Sequence, residues 1–173
     1  MSRSKRVHKA KAQRGTVLIV SLVFLLLLSM LGLSSLQNAT LQEKMAGSLN
    51  LRQTAFHSAE SVLRAGEAQV KATGFTLPVC GSATACAPPP EAFSVSGAGA
   101  AGGSGVKWVA VEGGFYALQH FAKTDDPVNV RPVGDKTEWT LYRVTAVAIQ
   151  GDARTVLESV HTEQRRILWR QRQ

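Results

Sequence analysis

The stretch VLIVSLVFLLLLSMLGLSSL, residues 17–36, decides how the rest of this 173-residue chain is read. Twenty largely apolar residues rise about 30 Å in a helix at 1.5 Å each, the thickness of a bilayer's hydrocarbon core. A soluble core helix of that length would show a polar face. This one shows only scattered serines, whose hydroxyls can bond back to helix carbonyls. No charged residue occurs from position 16 to position 42. The segment predicts a single membrane-spanning helix.

On its N-terminal side stand Arg3, Lys5, Arg6, Lys9, Lys11 and Arg14, with no acidic residue among them. That asymmetry places the N-terminus in the cytoplasm and everything beyond about residue 40 in the periplasm. The formal net charge of +8 is mostly a property of this flank: residues 16–173 hold 14 basic and 12 acidic groups, net +2. A nucleic-acid reading based on global charge therefore loses its main support.

On its C-terminal side the pattern becomes periodic. Leu41, Met45, Leu49, Ala55, Phe56, Ala59, Val62, Leu63, Gly66 and Val70 recur at helical spacing. Glu43, Lys44, Arg52, Glu60, Arg64, Glu67 and Lys71 fall on the opposite face, with Glu60–Arg64 and Glu67–Lys71 in the favoured i, i+4 order. No proline interrupts residues 16–77. One helix is expected over residues 16–72, about 85 Å long at 1.5 Å per residue, apolar all round in its first half and amphipathic in its second. Gly32, Gly47 and Gly66 are soft points, or places of close packing.

What abuts the apolar run is Gln13-Arg14-Gly15, then Thr16-Val17-Leu18-Ile19. A secretory signal would have a shorter apolar core followed by a small-residue cleavage site; a plain signal anchor is the bland alternative. A basic leader ending in glycine against an apolar helix resembles the class III signal of type IV prepilins. The resemblance implies cleavage by prepilin peptidase between Gly15 and Thr16, and methylation of the new amine. Major pilins carry Glu at the fifth mature position, where it meets the N-terminal amine of a neighbouring subunit; here that position is Val20. The departure implies a priming or tip subunit rather than bulk filament. Gln-Glu-Lys-Met-Ala-Gly (residues 42–47) and Ala-Phe-His-Ser-Ala-Glu-Ser (residues 55–61) resemble the PilX family of minor pilins more closely still. Membership implies a type IV pilin-like α+β fold and a role in pilus assembly. The implied partners are other minor pilins, the major pilin, prepilin peptidase, inner-membrane lipid and the inner-membrane assembly machinery. The implied location is the inner membrane and, after assembly, the pilus.

Residues 73–105 contain Pro78, Pro88-Pro89-Pro90 and GAGAAGGSG, a linker composition. Within it, Cys80 and Cys86 fit a small disulfide loop on an exported segment, with two independent thiols as the alternative. Zinc lacks the further ligands that a four-coordinate site needs. Residues 106–173 read as the antiparallel β-sheet region. Strand signals appear at residues 106–111 and 114–122, and at residues 137–150 and 153–164 around a Gly151-Asp152 turn. The stretch from Leu141 to Ser159 also resembles the end of PilX-type pilins. One long helix beside three or four antiparallel strands is the expected α+β arrangement, with residues 1–15 as leader.

His8, His57, His120 and His161 show no metal spacing, and there is no nucleophile elbow or phosphate-binding loop. Neither catalysis nor a cofactor is expected. The tail RRILWRQRQ, residues 165–173, could grip nucleic acid, anionic lipid or an acidic partner surface, but is expected to be solvated and partly packed. A pseudopilin of a type II secretion system, or an anchored adhesin or DNA-binding module, is the alternative function.

Overall fold

The computed structural model describes residues 14–100, 102–128 and 138–173. The basic residues before Arg14, and the Thr137 start expected for a strand, lie outside the described residues. Helix α1 runs Arg14–Val70, within two residues of the expected span at each end. The chain leaves it through Lys71–Gly74, where Gly74 takes φ +80°, a conformation open to glycine at little cost. Residues up to Ala46 form one unit and residues from Gly47 a second.

The second unit contains a six-stranded antiparallel sheet in sequential order: β1 (Gly99–Ala100), β2 (Lys107–Val111), β3 (Gly114–Thr124), β4 (Trp139–Gln150), β5 (Ala153–His161) and β6 (Arg166–Arg172). The four expected strands are present, and Gly151 (φ +56°) turns β4 into β5 as its sequence predicted. Two strands were not foreseen. One is the short β1; the other is β6, built from the tail expected to be solvated and partly packed. Isolated, that tail has too little apolar surface to order itself, but alongside β5 its backbone groups find a ladder.

Period-two alternation sends the two faces of the sheet to different layers. Tyr142, Val144, Ala146, Ala148, Tyr116 and Leu157 face the second half of α1, packing on Ala59, Val62, Leu63 and Val70. Val147, Val156, Ala117 and Trp108 face the other way, against Ala92, Val95 and Val106. Residues 73–105 thus contribute to a core where linker composition predicted none. They carry a short helix α2 (Ala83–Cys86) and a 3-10 turn (Pro90–Phe93).

At Gly66, α1 lies close against the sheet. A Cβ added there would lie 2.6 Å from Val144 Cγ1, whereas at Gly32 and Gly47 it would meet nothing within 4 Å. Close packing, not flexibility, explains the first of these glycines.

Candidate functional site

The apolar first half of α1 has no cover of its own. From Val17 to Leu36 its large side chains are exposed all round, between 49% (Val23) and 70% (Leu18). The hydroxyls within it are satisfied locally: Ser21 Oγ donates to the Leu18 carbonyl at 2.9 Å and Ser29 Oγ to that of Leu25 at 2.8 Å. Such a surface is stable only in lipid or among other apolar helices. Gly15 and Thr16 lie in its first turn. A Cβ on Gly15 would touch nothing, so this chain's own packing places no demand for glycine there. Val20 lies on the same stretch, 55% exposed, in a shallow apolar concavity with Thr16, Val17, Ser21 and Phe24. No carboxylate lies within reach along the helix, since residues 16–42 contain none.

Further along α1, the apolar stripe divides. Leu41, Met45 and Leu49 remain exposed, while Ala55, Ala59, Val62, Leu63 and Val70 are buried. Glu67, expected on the solvated face beside Lys71, is buried instead. The helical repeat puts position 67 between Leu63 and Val70 on the sheet-facing side, and the sheet supplies partners. Arg166 donates to it twice, Nε to Oε1 at 2.7 Å and Nη2 to Oε2 at 2.8 Å, and Ser159 Oγ donates to Oε1 at 2.7 Å. Burial pushes the Glu67 carboxyl up. The Arg166 and Ser159 hydrogen bonds, with the nearby Arg166 charge, outweigh that and hold it below the usual carboxylate range. The same contact raises Arg166. Beside them His161 is fully buried, and burial pulls its imidazole below its ordinary value despite a hydrogen bond to the Thr162 carbonyl.

On the other face, Cys80 and Cys86 are joined by a disulfide, with their Cα atoms 5.3 Å apart. The loop is tied to β3 by the Cys80 N–H, which donates to the His120 carbonyl at 2.9 Å. Ser82 caps α2 through its Oγ, which accepts from the Ala85 N–H. From the end of the loop onward, the backbone is held by long polar side chains reaching out of the sheet. Gln119 Nε2 donates to the carbonyls of Ala85 (2.6 Å) and Ala87 (3.0 Å), and Arg143 Nη1 to that of Cys86 (2.6 Å). Arg172 Nη1 donates to the Pro89 carbonyl (2.9 Å), and Arg154 Nη1 to that of Val95 (2.8 Å). A partly buried segment without a strand ladder needs such donors for its carbonyls. Glu158, buried on β5, anchors the donors from below: Arg170 Nη2 lies 2.9 Å away, Arg143 Nε 3.4 Å and Arg172 Nε 3.8 Å. Burial and the neighbouring arginine charges pull Arg143 down, and Glu158 opposes them.

The structure brings Gly15, Thr16 and Val20 together on one stretch of helix and pairs Cys80 with Cys86. Among the described residues the histidines stay apart: His57 is exposed on α1, His120 donates from Nδ1 to the Leu77 carbonyl (2.9 Å), and His161 is buried beside Glu67. Among the described residues no group of His, Cys, Asp and Glu converges as a metal site. Gln119, Arg143, Arg154, Glu158 and Arg172 were not singled out from the sequence. A partial signal was available: Gln119, Arg143 and Glu158 lie inside the expected strands among apolar residues, and a charged or amide side chain buried there demands a partner.

A family model described as PilX N-terminal matches residues 14–64, the apolar half of α1 and most of its amphipathic continuation. No curated protein and no solved structure matches the chain.

Proposed function

We propose that this chain, which carries the N-terminal region of PilX-family type IV pilus proteins at residues 14–64, acts as a minor pilin that primes pilus assembly or sits at the pilus tip. The observation that carries this reading is the pairing of an uncovered apolar helix with Val20. The helix can be held in the inner membrane and then among the helices of other subunits without new folding. A carboxylate at that depth is costly in lipid and is useful only against a specific partner. With valine, the subunit can lend its helix to a bundle but offers no anion to the amine of a subunit above it. The second unit then lies on the periplasmic side, where a disulfide between Cys80 and Cys86 persists.

Before assembly, prepilin peptidase removes the leader at Gly15–Thr16. Glycine is unexplained by this chain's packing and is explained by a protease that must approach the backbone closely. The test is N-terminal mass spectrometry of the chain made with and without prepilin peptidase. The mature chain should begin at Thr16 only when the peptidase is present, and Gly15→Leu should leave it full length. A Thr16 terminus in the Gly15→Leu chain, or one formed without the peptidase, would refute the assignment. Deletion of the gene should reduce surface pili while leaving the major pilin in the membrane; unchanged piliation would remove the assembly role.

A further inference from the structure

The sequential order of the sheet leaves two edges, and they are unequal. On one side β1 is two residues long, too short to template another strand. Where β3 runs on past its β2 partners, the segment around Val79 lies against it, with a bridge to His120 and the Cys80 N–H on the His120 carbonyl. The β6 edge is seven residues long; β5 pairs with one side of it, and among the described residues no strand pairs with the other. The register shifts once, beside His161, and is regular from Leu168 to Arg172. That run holds no proline, and it exposes Leu168 (50%) and Trp169 (47%). Natural sheets close such an edge with a bulge, a proline or charge. Here the regular run is guarded only by arginine.

The arginines determine what can pair. Four of residues 165–172 are Arg, so a second copy laid along β6 would set arginine against arginine, which is unfavourable across a strand pair. The charge is also unbalanced from within. Arg143, Arg170 and Arg172 share the single carboxylate of Glu158, and the side chain of Arg170 is 54% exposed at the edge. Arg170 and Arg172 lie two apart on one face of β6, opposite Glu158 and Val156 of β5. Trp169 lies on the other face, its ring 6.4 Å from that of Phe56 on α1.

We infer that β6 is a docking edge for an extended, acidic segment of another protein, which adds to the sheet as a further strand. An acidic residue of that segment meets Arg170, the exposed member of the cluster, and completes the charge around Glu158; the side chain of Arg172, 15% exposed, is already held by the Pro89 carbonyl. The intervening apolar residues extend the Trp169–Phe56 surface. Main-chain bonds supply affinity and the alternating side chains supply selectivity. Identifying the other protein as a pilus subunit rests on the assembly reading above; the docking edge does not.

The chain contains its own reporter. Of its three tryptophans, Trp108 and Trp139 are each 1% exposed, so a soluble quencher such as acrylamide reaches chiefly Trp169. The full chain in non-ionic detergent is titrated with a synthetic (Glu-Val)4 peptide. Quenching of Trp169 should fall to a saturable limit, with binding that weakens as salt rises. A (Lys-Val)4 peptide, or (Glu-Val)4 with alternate amides N-methylated, should bind about tenfold or more weakly, because the first lacks the charge and the second the strand edge. These arms leave the protein unaltered, so no folding defect can imitate the result. An Arg170→Gln chain should lose several-fold of its preference for the acidic peptide.

Absence of (Glu-Val)4 binding overturns the proposal. So does equal binding of the N-methylated or lysine peptides. Equal protection of Trp169 by a short single-stranded DNA would assign the arginines to polyanions in general, and a β6-dependent dimer would assign the edge to self-pairing. Correct processing at Thr16 with no peptide binding rejects the docking edge and leaves the pilin reading standing. Peptide binding without processing does the reverse.

Discussion

Arg166 grips Glu67 in a two-point contact, Nε to Oε1 at 2.7 Å and Nη2 to Oε2 at 2.8 Å, across 99 positions of sequence. It ties the last strand of the sheet to the end of the helix on which the sheet is built. The two partners are unequal, since the Glu67 side chain is 8% exposed and that of Arg166 36%.

That inequality sets the order of two substitutions. Arg166→Ala strands a buried carboxylate with Ser159 as its remaining donor and should cost about 2–3 kcal/mol. Glu67→Gln keeps the shape, leaves a cation that water can reach, and should cost about 1 kcal/mol. Denaturant midpoints of the detergent-solubilised chain, at unchanged slope, measure both. A larger loss from Glu67→Gln would mean that the carboxylate is not the buried end of the pair.

Acid should loosen the second unit in two stages. His161 has a folded-state value below its ordinary 6.5, so the unfolded chain takes up its proton first; the stability this provides is full above 6.5 and declines as pH falls below it. Glu67 is likewise depressed from 4.5, and its contribution is lost as pH falls below that value. Melting temperature should therefore fall on acidification from neutrality, and His161→Gln should flatten the upper stage alone. A melting temperature that rises between pH 7 and pH 5 would contradict the sign.

Two glycines on one helix should respond in opposite directions to alanine. Gly47→Ala meets open space and gains helix propensity, stabilising by about 0.5–1 kcal/mol. Gly66→Ala pushes a methyl to within 2.6 Å of Val144 Cγ1 and should destabilise by about 1–3 kcal/mol despite the same propensity gain. Thermal melts of both variants decide it; a stabilised Gly66→Ala would show that α1 can move away from the sheet freely.

The disulfide closes a short loop, so its removal should act locally. With a sequence separation of six, the chain-entropy argument gives about 2 kcal/mol. A double Cys80→Ser, Cys86→Ser chain should keep its sheet, while protease nicking within residues 80–95 increases severalfold. Uniform acceleration of cleavage across the second unit would instead mean that the loop holds the whole sheet.

The helix was legible almost to the residue because its information is local. Hydrophobicity along residues 17–36, the absence of proline and the spacing from Ala55 to Val70 each act through the chain's own geometry. The β4–β5 hairpin was legible for the same reason, since Gly151 and its flanking alternation lie within one short stretch. Glu67 was misplaced because surface and core positions on an amphipathic helix differ by a fraction of a turn. Only Ser159 and Arg166, distant in sequence, make burial of a carboxylate tolerable there. Residues 73–105 and the tail escaped for a related reason. Neither contains enough apolar surface to order itself, and each is ordered by donors from strands far along the chain: Gln119, Arg143, Arg154 and Arg172 for one, the β5 ladder for the other. Sequence alone determined the membrane-compatible helix, its glycine junction and Val20, which are properties of consecutive residues. Tertiary structure alone decided which charges are buried and which strand edge stays open, because these depend on partners that only folding brings within hydrogen-bonding distance.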